Sequence, residues 1–199
     1  MLTPTQEKIH EAAKAHFLRD GFQKASLRKI VAESGFTSGA FYGYYDSKEE
    51  LFDALVHDTA EGLEKIVSNM SSQFEALPAD QAFSSVTDVF AAGLPELVDY
   101  LLENIDELRL LLKCSEGTRY ENFMSGMMDQ DLDYWERNAG DRFPLSPLAA
   151  NLLVNSYFNL LGDAVLSGAS RDEIITAMQE INTMYTCGMI GMMKGKVDQ

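Results

Sequence analysis

Apolar residues recur every three or four positions along almost the whole chain, and this spacing predicts helices rather than strands. Several helix starts are marked by a capping residue followed three positions later by Glu or Gln. Together with glycine and proline breaks, these signals predict an all-α chain of nine helices joined by short loops. The predicted starts lie at or near Thr3, Ser26, Thr37, Ser47, Asp80, Asn104, Thr118, Ser146 and Ser170.

Glycine and proline set the other expected boundaries. The first helix is expected to end near Gly21, where a glycine can leave the helical conformation at low cost. The helix from Asp80 is expected to kink at residues 93–95, because Pro95 removes a backbone donor. The helix from Thr118 is expected to break around Gly140. The last two long helices are expected to end near Gly168 and Gly195.

Residues 26–51 are the most informative segment of the chain. They predict two short helices joined by a tight turn, followed by the start of a long helix. Ser26 is expected to cap the first helix with its side chain, and Gly35 to supply the turn. Either Thr37 or Ser38 is expected to start the second helix. One side of that helix lacks bulk and its edges carry hydroxyl groups, a combination that suits a groove in DNA.

This segment resembles the DNA-binding head of the TetR family of bacterial transcription regulators. The family pattern is a hydroxyl residue, two small or polar residues, Leu/Phe-Tyr-x-Tyr/His-Phe, and then Lys-x-x-Leu. The matching residues here are Thr37, Ser38, Gly39, Ala40, Phe41, Tyr42, Gly43, Tyr44, Tyr45 and Lys48 to Leu51. The resemblance extends back through residues 5–22. It implies a helix-turn-helix DNA-binding domain over residues 1–46 and a helical ligand-binding and dimerisation domain over residues 47–199.

The resemblance also implies roles for individual residues of the head. In a helix-turn-helix, the N-terminal residues of the second helix meet base edges in the major groove. The base-facing positions here would be Thr37, Ser38, Gly39 and Ala40. The DNA backbone would be held by Ser26, Arg28, Tyr42, Tyr44 and Lys48, with Arg28 reaching a base as an alternative. Ala40 and Gly43 are smaller than the residues often found there, so DNA shape would carry more of the specificity.

The two long helices near the C-terminus predict a homodimer. Residues 148–166 are apolar around most of the helix, apart from a stripe formed by Asn151, Asn155, Asn159 and Asp163. Such a helix is buried on more than one side, and one chain is short of elements to cover it. A two-fold dimer would cover it; a helix buried in a monomer is the alternative. The expected interface residues are Leu153, Tyr157, Leu161, Val165, Ile181, Tyr185 and Gly188.

Regulators of this family usually respond to a small molecule, and aromatic and methionine side chains offer a candidate pocket. Methionine-rich apolar linings adapt to varied ligands, although plain core packing is the competing interpretation. The expected lining residues are Phe90, Tyr100, Tyr120, Phe123, Met127, Trp135, Tyr157 and Phe158. The identity of the effector does not follow from these residues, and no other cofactor is expected.

Charge and composition narrow the function further. The net charge is −15, yet residues 1–50 hold seven basic and seven acidic residues, so residues 51–199 carry all of it. An acidic bulk would repel phosphate and leave only the head to meet DNA. No apolar run is long enough to span a membrane and no secretory signal is visible, so a cytoplasmic protein is expected. Cys114 and Cys187 are expected to be reduced and mostly buried, and no spacing predicts a metal site.

These observations predict a homodimeric, sequence-specific DNA-binding regulator, most often a repressor that a small molecule releases from a palindromic operator. The sequence shows no glycine-rich phosphate loop, nucleophile elbow or acid–base constellation, so an enzyme is not expected. A DNA-binding activator, a regulator without a ligand and a helical adaptor that binds only proteins remain alternatives.

Overall fold

The computed structural model describes residues 2–75, 79–126 and 145–197, and within these ranges the regular secondary structure is entirely helical. The predicted all-α fold is therefore confirmed. In the described segments no helix is long and apolar enough to cross a membrane. The helices are α1 Pro4–Lys24, α2 Leu27–Glu33, α3 Ser38–Phe41, α4 Lys48–Glu75, α5 Ala79–Glu103, α6 Ile105–Lys113, α7 Phe123–Gly126, α8 Pro147–Leu166 and α9 Arg171–Val197.

The chain divides into two compact units. The head unit contains residues 1–62 and 104–123, and the second unit contains residues 63–103 and 124–199. The helix-turn-helix was expected to end at residue 46, whereas the head unit also holds the first half of α4 and all of α6. The segment from 104 to 123 therefore belongs with the predicted DNA-binding helices.

Several predicted helix starts are formed by the expected capping bonds. At α1 the Gln6 amide donates to Thr3 Oγ1 at 3.3 Å, and the Thr3 amide donates to Gln6 Oε1 at 3.1 Å. At α8 the Ser146 hydroxyl oxygen accepts from the Ala149 amide. At α9 Ser170 and Glu173 cap each other in the same reciprocal way as the first pair. These bonds satisfy amides that have no partner within the helix.

Other predicted boundaries are corrected. Ser26 stands at the N-cap position of α2, but its side chain forms no capping bond. Thr118 does not start a helix: its hydroxyl donates to Ser115 O at 2.7 Å and folds the chain into a turn. The helix that follows begins only at Phe123, and its predicted continuation to Gly140 falls outside the described residues from residue 127 onward.

Glycine conformation sets the path of α1, as expected. Gly21 has φ 73° and ψ 163°, which interrupts the helix before its last residues. A residue with a Cβ is strained in this left-handed region, so glycine is needed here. The helix α5, by contrast, continues through Pro95.

An aromatic cluster holds the head unit together. Phe17, Phe22 and Phe52 contact one another with ring centroids 5.2–5.9 Å apart, and two of the three contacts are edge-to-face. Phe41 of α3 is fully buried in the same core. Aromatic pairs in this geometry contribute stability beyond the area they bury. The buried side chain of α3 thus belongs to the same core as residues of α1 and α4.

The second unit is built mainly from α5 packed against α9, with α8 also contacting both helices. A Cβ placed on Gly93 would lie 2.8–2.9 Å from the side chain of Met70, so α4 and α5 approach closely there. Arg171 at the start of α9 forms a two-pronged ion pair with Asp99 of α5, at 2.5 and 2.8 Å. The neighbouring guanidinium lowers the pKa of Asp99.

Candidate nucleic-acid interface

The outward side of α3 and of the turn after it carries exposed hydroxyl groups on a small-residue surface. We call this the hydroxyl face, formed by Thr37, Ser38, Gly39, Tyr42 and Tyr44, all of which are exposed. Phe41 and Tyr45 alternate with them and are buried in the head unit. The division between buried and exposed positions leaves both tyrosine hydroxyl-bearing rings on the protein surface, with Tyr42 57% exposed.

Local bonding shapes the tip of the hydroxyl face. Thr37 is the N-cap of α3, and its Oγ1 accepts from the Ala40 amide at 3.2 Å. A hydroxyl can accept and donate at once, so its proton stays available to a base edge. Gly39 has open space around it, since an added Cβ would lie 3.8 Å from Thr37 Oγ1. The backbone at this point can therefore approach another molecule more closely than any residue with a side chain.

Two further predicted contacts lie on or just before α2. Arg28 is exposed, and it forms no ion pair with any residue in the described ranges. The Ser26 hydroxyl, having no capping role, likewise has no partner among the described residues. Proteins commonly use guanidinium and hydroxyl groups to hydrogen-bond phosphate oxygens of DNA. Both remain predictions as DNA contacts.

Two histidines that the sequence analysis did not use connect the helices of the head. His16 is buried, and Arg19 donates to its Nδ1 at 2.7 Å. The proton must therefore sit on Nε2, which donates to Glu33 Oε2 at 2.7 Å and ties α1 to the end of α2. The sequence alone does not predict this pair, because Glu33 lies 17 residues after His16.

His10 fixes to α1 the end of the predicted recognition segment, residues 37–45. Its Nε2 lies 2.6 Å from the hydroxyl of Tyr45, which also accepts from Gln6 at a longer distance. Burial, together with the nearby Lys14 ammonium, lowers the pKa of His10. The neutral ring accepts the hydrogen bond from Tyr45, and so the buried end of the recognition segment depends on an uncharged His10.

Lys48, the last predicted DNA contact, lies in a different environment. Its Nζ is 2.7, 3.2 and 3.3 Å from the carbonyl oxygens of Phe22, Ala25 and Gln23. It also stands 4.3 Å from the centroid of the Phe22 ring. Lys48 is half-buried against the end of α1, whereas Arg28, Tyr42 and Tyr44 are exposed.

The segment from 104 to 123 packs on the side of the head unit formed by α1 and α4. The Phe22 amide donates to Cys114 O at 2.9 Å, and Lys14 forms an ion pair with Glu107. Tyr120 is buried, and its hydroxyl donates to Asp53 Oδ1 at 2.7 Å. Burial is the main cause that raises the pKa of Tyr120. Tyr120 was predicted to line a ligand pocket from a helix, but it lies in a turn and belongs to the core of the head unit.

The other predicted pocket residues are distributed over the chain. Phe123 packs against the core of the head unit, whereas Tyr100, Tyr157 and Phe158 belong to the second unit. The Tyr157 and Phe158 rings contact each other edge-to-face at 5.8 Å, and both are buried. Burial raises the pKa of Tyr157 to about 12. Met127 and Trp135 lie outside the described residues, as does the side chain of Phe90. The pocket therefore remains a prediction.

A second exposed surface lies on α8. Leu148, Leu152 and Leu160 are 71%, 58% and 42% exposed, and we call them the leucine face. They recur at spacings of four and eight, so they follow one side of the helix. On α9, Met184, Ile190 and Met192 are also exposed, as is Gly188. Large exposed apolar side chains at helical spacing are typical of a surface that another molecule covers.

The predicted dimer residues need correction in light of this surface. Leu161 and Val165 have no exposed area, and Tyr157 is also buried within the single chain. These three follow the opposite side of α8 from the leucine face, so they are inaccessible to a partner. Leu153, Ile181 and Tyr185 are partly exposed and Gly188 is exposed. The apolar pattern of α8 did not distinguish its two apolar sides, because both carry large aliphatic residues.

The two cysteines lie in different environments. Cys114 is buried and burial raises the pKa of its thiol, whereas Cys187 is exposed, contrary to the prediction that both are mostly buried. Both thiols are free. Across the ranges that the structure describes, no group of His, Cys, Asp and Glu could hold a metal ion.

Comparisons with known proteins agree on the head. Residues 9–55 match the family model of bacterial regulatory proteins, tetR family. The chain is 27% identical over 171 residues to the uncharacterized HTH-type transcriptional regulator YfiR of Bacillus subtilis, covering 82% of this chain and 79% of that protein. It is 30% identical over 66 residues to the HTH-type transcriptional repressor AcnR of Corynebacterium glutamicum, covering 33% of this chain and 35% of that protein.

A solved structure extends the likeness to the fold of the whole chain. A TetR-like transcriptional regulator from Rhodococcus sp. RHA1 superposes with a TM-score of 0.59 at 15% identity, covering 94% of this chain and 100% of that one. At this identity the match concerns the arrangement of helices alone.

Proposed function

The chain belongs to the TetR family of transcriptional regulators, and we propose that it acts as a homodimer on a palindromic double-stranded DNA operator. As a transcriptional regulator it is not an enzyme. We further propose that it represses transcription in the cytoplasm and that a small-molecule effector releases it from DNA. The name of AcnR, a repressor that resembles the head, supports this direction of control.

The observation that carries the proposal is the hydroxyl face. Its exposed side chains are uncharged donors and acceptors on a small-residue surface, which suits base edges and phosphates rather than an apolar partner. Thr37 and Ser38 would read bases with Gly39 and Ala40 beside them. Tyr42 and Tyr44 would donate to phosphates from the edges of the face, and Arg28 and Ser26 would hold the strand beside α2.

The homodimer is supported by the leucine face and the exposed apolar residues of α9. A second copy of this chain presents the same apolar surface, and a two-fold axis would bring the two surfaces together. Dimerisation also gives the operator its symmetry, because two recognition helices would enter successive major grooves about 34–36 Å apart. The leucine face therefore replaces Tyr157, Leu161 and Val165 in the proposed interface.

Release by an effector is supported by the way that residues 104–123 join the head unit. The bond from the Phe22 amide to Cys114 O and the bond from Tyr120 to Asp53 connect α6 and the following turn to α1 and α4. A ligand that favours another position of α6 would shift the population of head positions by its difference in affinity for the two states. The residues that would bind it are the described pocket candidates of the second unit, Tyr100, Tyr157 and Phe158.

The test is a fluorescence-anisotropy titration with the intergenic DNA beside the protein's own gene, at several salt concentrations and with non-specific competitor. We expect tight binding that survives the competitor and weakens with salt, because log K falls with log salt by about 0.9 for every phosphate that the protein neutralises. Weak binding that the competitor abolishes, on this DNA and on fragments selected from the genome, would contradict the proposal and favour a protein-binding adaptor.

A further inference from the structure

Lys48 carries a cation at the start of α4, but the structure uses that cation inside the head. An ammonium group has three N–H donors and no acceptor. The three nearest acceptors are the carbonyl oxygens of Phe22, Gln23 and Ala25, all within 3.3 Å of Nζ. The number of donors therefore equals the number of carbonyls already bound. A phosphate oxygen would have to displace one of them.

These carbonyls belong to a backbone segment that needs donors. Phe22 and Gln23 lie in the last turn of α1, just after the interruption at Gly21. Carbonyls at the end of a helix have no amide partner within the helix, and a cation there also interacts favourably with the helix dipole. Ala25 follows in an extended conformation, with φ −63° and ψ 129°, so its carbonyl also points away from any helical ladder.

The segment that Lys48 holds leads directly into the predicted DNA contacts of α2. Ala25 is followed by Ser26 and, three residues on, by Arg28. Lys48 itself comes four residues after Tyr44, the last residue of the hydroxyl face. One side chain therefore joins the entry to α2 with the exit from the recognition segment. The Phe22 ring beneath Nζ, packed on Phe17 and Phe52, gives that junction a rigid base.

We propose that Lys48 is a positioning residue that sets α2 against the recognition segment, and that it is not a phosphate ligand. This inference rests on the proposed DNA-binding function. It separates Lys48 from Arg28, an exposed cation with no ion-pair partner in the described part of the chain. Arg28 and Lys48 thus act differently: Arg28 meets the DNA backbone, and Lys48 holds the protein surface in the shape that DNA requires.

The experiment compares Lys48→Met and Lys48→Arg with wild type, with Arg28→Met as the matched control. Each protein is titrated against the selected operator at four salt concentrations, at a temperature where all are folded. For Lys48→Met we expect Kd to rise about tenfold, the scale of one hydrogen bond to a charged group, with an unchanged salt slope. For Arg28→Met the slope should become shallower by about 0.9, the amount that one neutralised phosphate contributes.

Lys48→Arg makes the distinction sharper, because it keeps the positive charge. A planar guanidinium directs its donors in a fixed fork and does not reproduce three converging bonds from one nitrogen. We therefore expect Lys48→Arg to lose affinity as Lys48→Met does. Retention of wild-type affinity by Lys48→Arg, together with a reduced salt slope for Lys48→Met, would overturn the inference and make Lys48 a phosphate ligand.

Measurements without DNA keep this inference separate from the proposed function. Hydrogen exchange should quicken at the Ala25 amide in Lys48→Met, since that amide donates to Gly21 O beside the carbonyls that Lys48 holds. Arg28→Met should leave it unchanged. An unchanged Ala25 amide in Lys48→Met would overturn the positioning role even if wild type binds DNA. Failure of wild type to bind any selected DNA, with the exchange result as expected, would count against the proposed function alone.

Discussion

The hydroxyl face and the leucine face are both left exposed by the fold, but they differ in every property that decides what can cover them. The hydroxyl face carries donors on a small-residue surface, in a region whose first fifty residues are neutral. The leucine face is apolar and belongs to the part of the chain that carries the whole net charge of −15. Phosphate is repelled by an acidic region, so DNA is favoured at one surface and a second apolar surface at the other.

The two surfaces also differ in how the rest of the fold supports them. The hydroxyl face has only a short helix, α3, and depends on contacts with other elements, such as those of Phe41, Tyr45 and His10. The leucine face lies on α8, a regular helix of twenty residues, and needs no such support. A substitution on the leucine face should therefore change assembly without changing the chain's own fold, whereas the hydroxyl face is sensitive to residues behind it.

The largest effect is expected from charge on the leucine face. The double variant Leu152→Glu/Leu160→Glu should be monomeric by sedimentation, because two carboxylates per chain would have to be buried at a dimer interface. Operator affinity should fall about a hundredfold, the loss expected when two linked binding sites become independent. Leu2→Glu is the control, since Leu2 is 43% exposed and Leu160 is 42% exposed. A double variant that stays dimeric would remove the leucine face from the interface.

An intermediate effect is expected from one added methyl group on the hydroxyl face. Gly39→Ala has room in the protein itself, so its thermal stability should be unchanged or slightly higher. If DNA approaches this backbone closely, the crowded interface should weaken operator binding roughly tenfold. The result is read from anisotropy titrations and melting curves on the same samples. Wild-type affinity for Gly39→Ala would mean that the DNA does not lie over this part of α3.

The smallest effect is expected from pH, and it concerns the support of the hydroxyl face. Because the pKa of His10 is lowered in the folded protein, the unfolded chain binds a proton at higher pH than the folded one. The stability that neutral His10 provides is complete above its ordinary pKa of about 6.5 and is lost as pH falls through the folded value.

Melting temperatures between pH 7.5 and pH 5 check this expectation. Wild type should lose more stability over that range than His10→Phe, which has no titrating ring at this position and cannot accept from Tyr45. Equal losses in the two proteins would show that His10 does not stabilise the head through its neutral form.

The sequence predicted most of the head, because its local signals agree with its packing. The hydroxyl-bearing edges, the turn at Gly35 and the Gly21 break all follow from residue type and spacing within a few positions. Capping sequences were less reliable, since Ser26 and Thr118 have suitable side chains but neither caps a helix in the expected way. A hydroxyl can bond to several nearby backbone groups, and tertiary contacts choose among them.

The side-chain contacts between residues distant in sequence could not be predicted from the sequence. Nothing local relates Lys48 to the end of α1, His16 to Glu33, or Tyr120 to Asp53, since each pair is joined only after the helices pack. The prediction of which side of α8 faces a partner was wrong for a different reason. Its apolar residues cover most of the helix, and periodicity alone cannot tell the side facing the chain's own core from the side facing outward.

The measurement that tests the account most directly is an anisotropy titration of wild type and Leu152→Glu/Leu160→Glu against two duplexes. One duplex carries the full selected operator and the other carries a single half-site of the same length. We expect wild type to bind the full operator about a hundredfold more tightly than the half-site, and the double variant to bind both weakly and equally. Equal binding of the two duplexes by wild type would contradict an account in which one surface binds DNA and the other joins two chains.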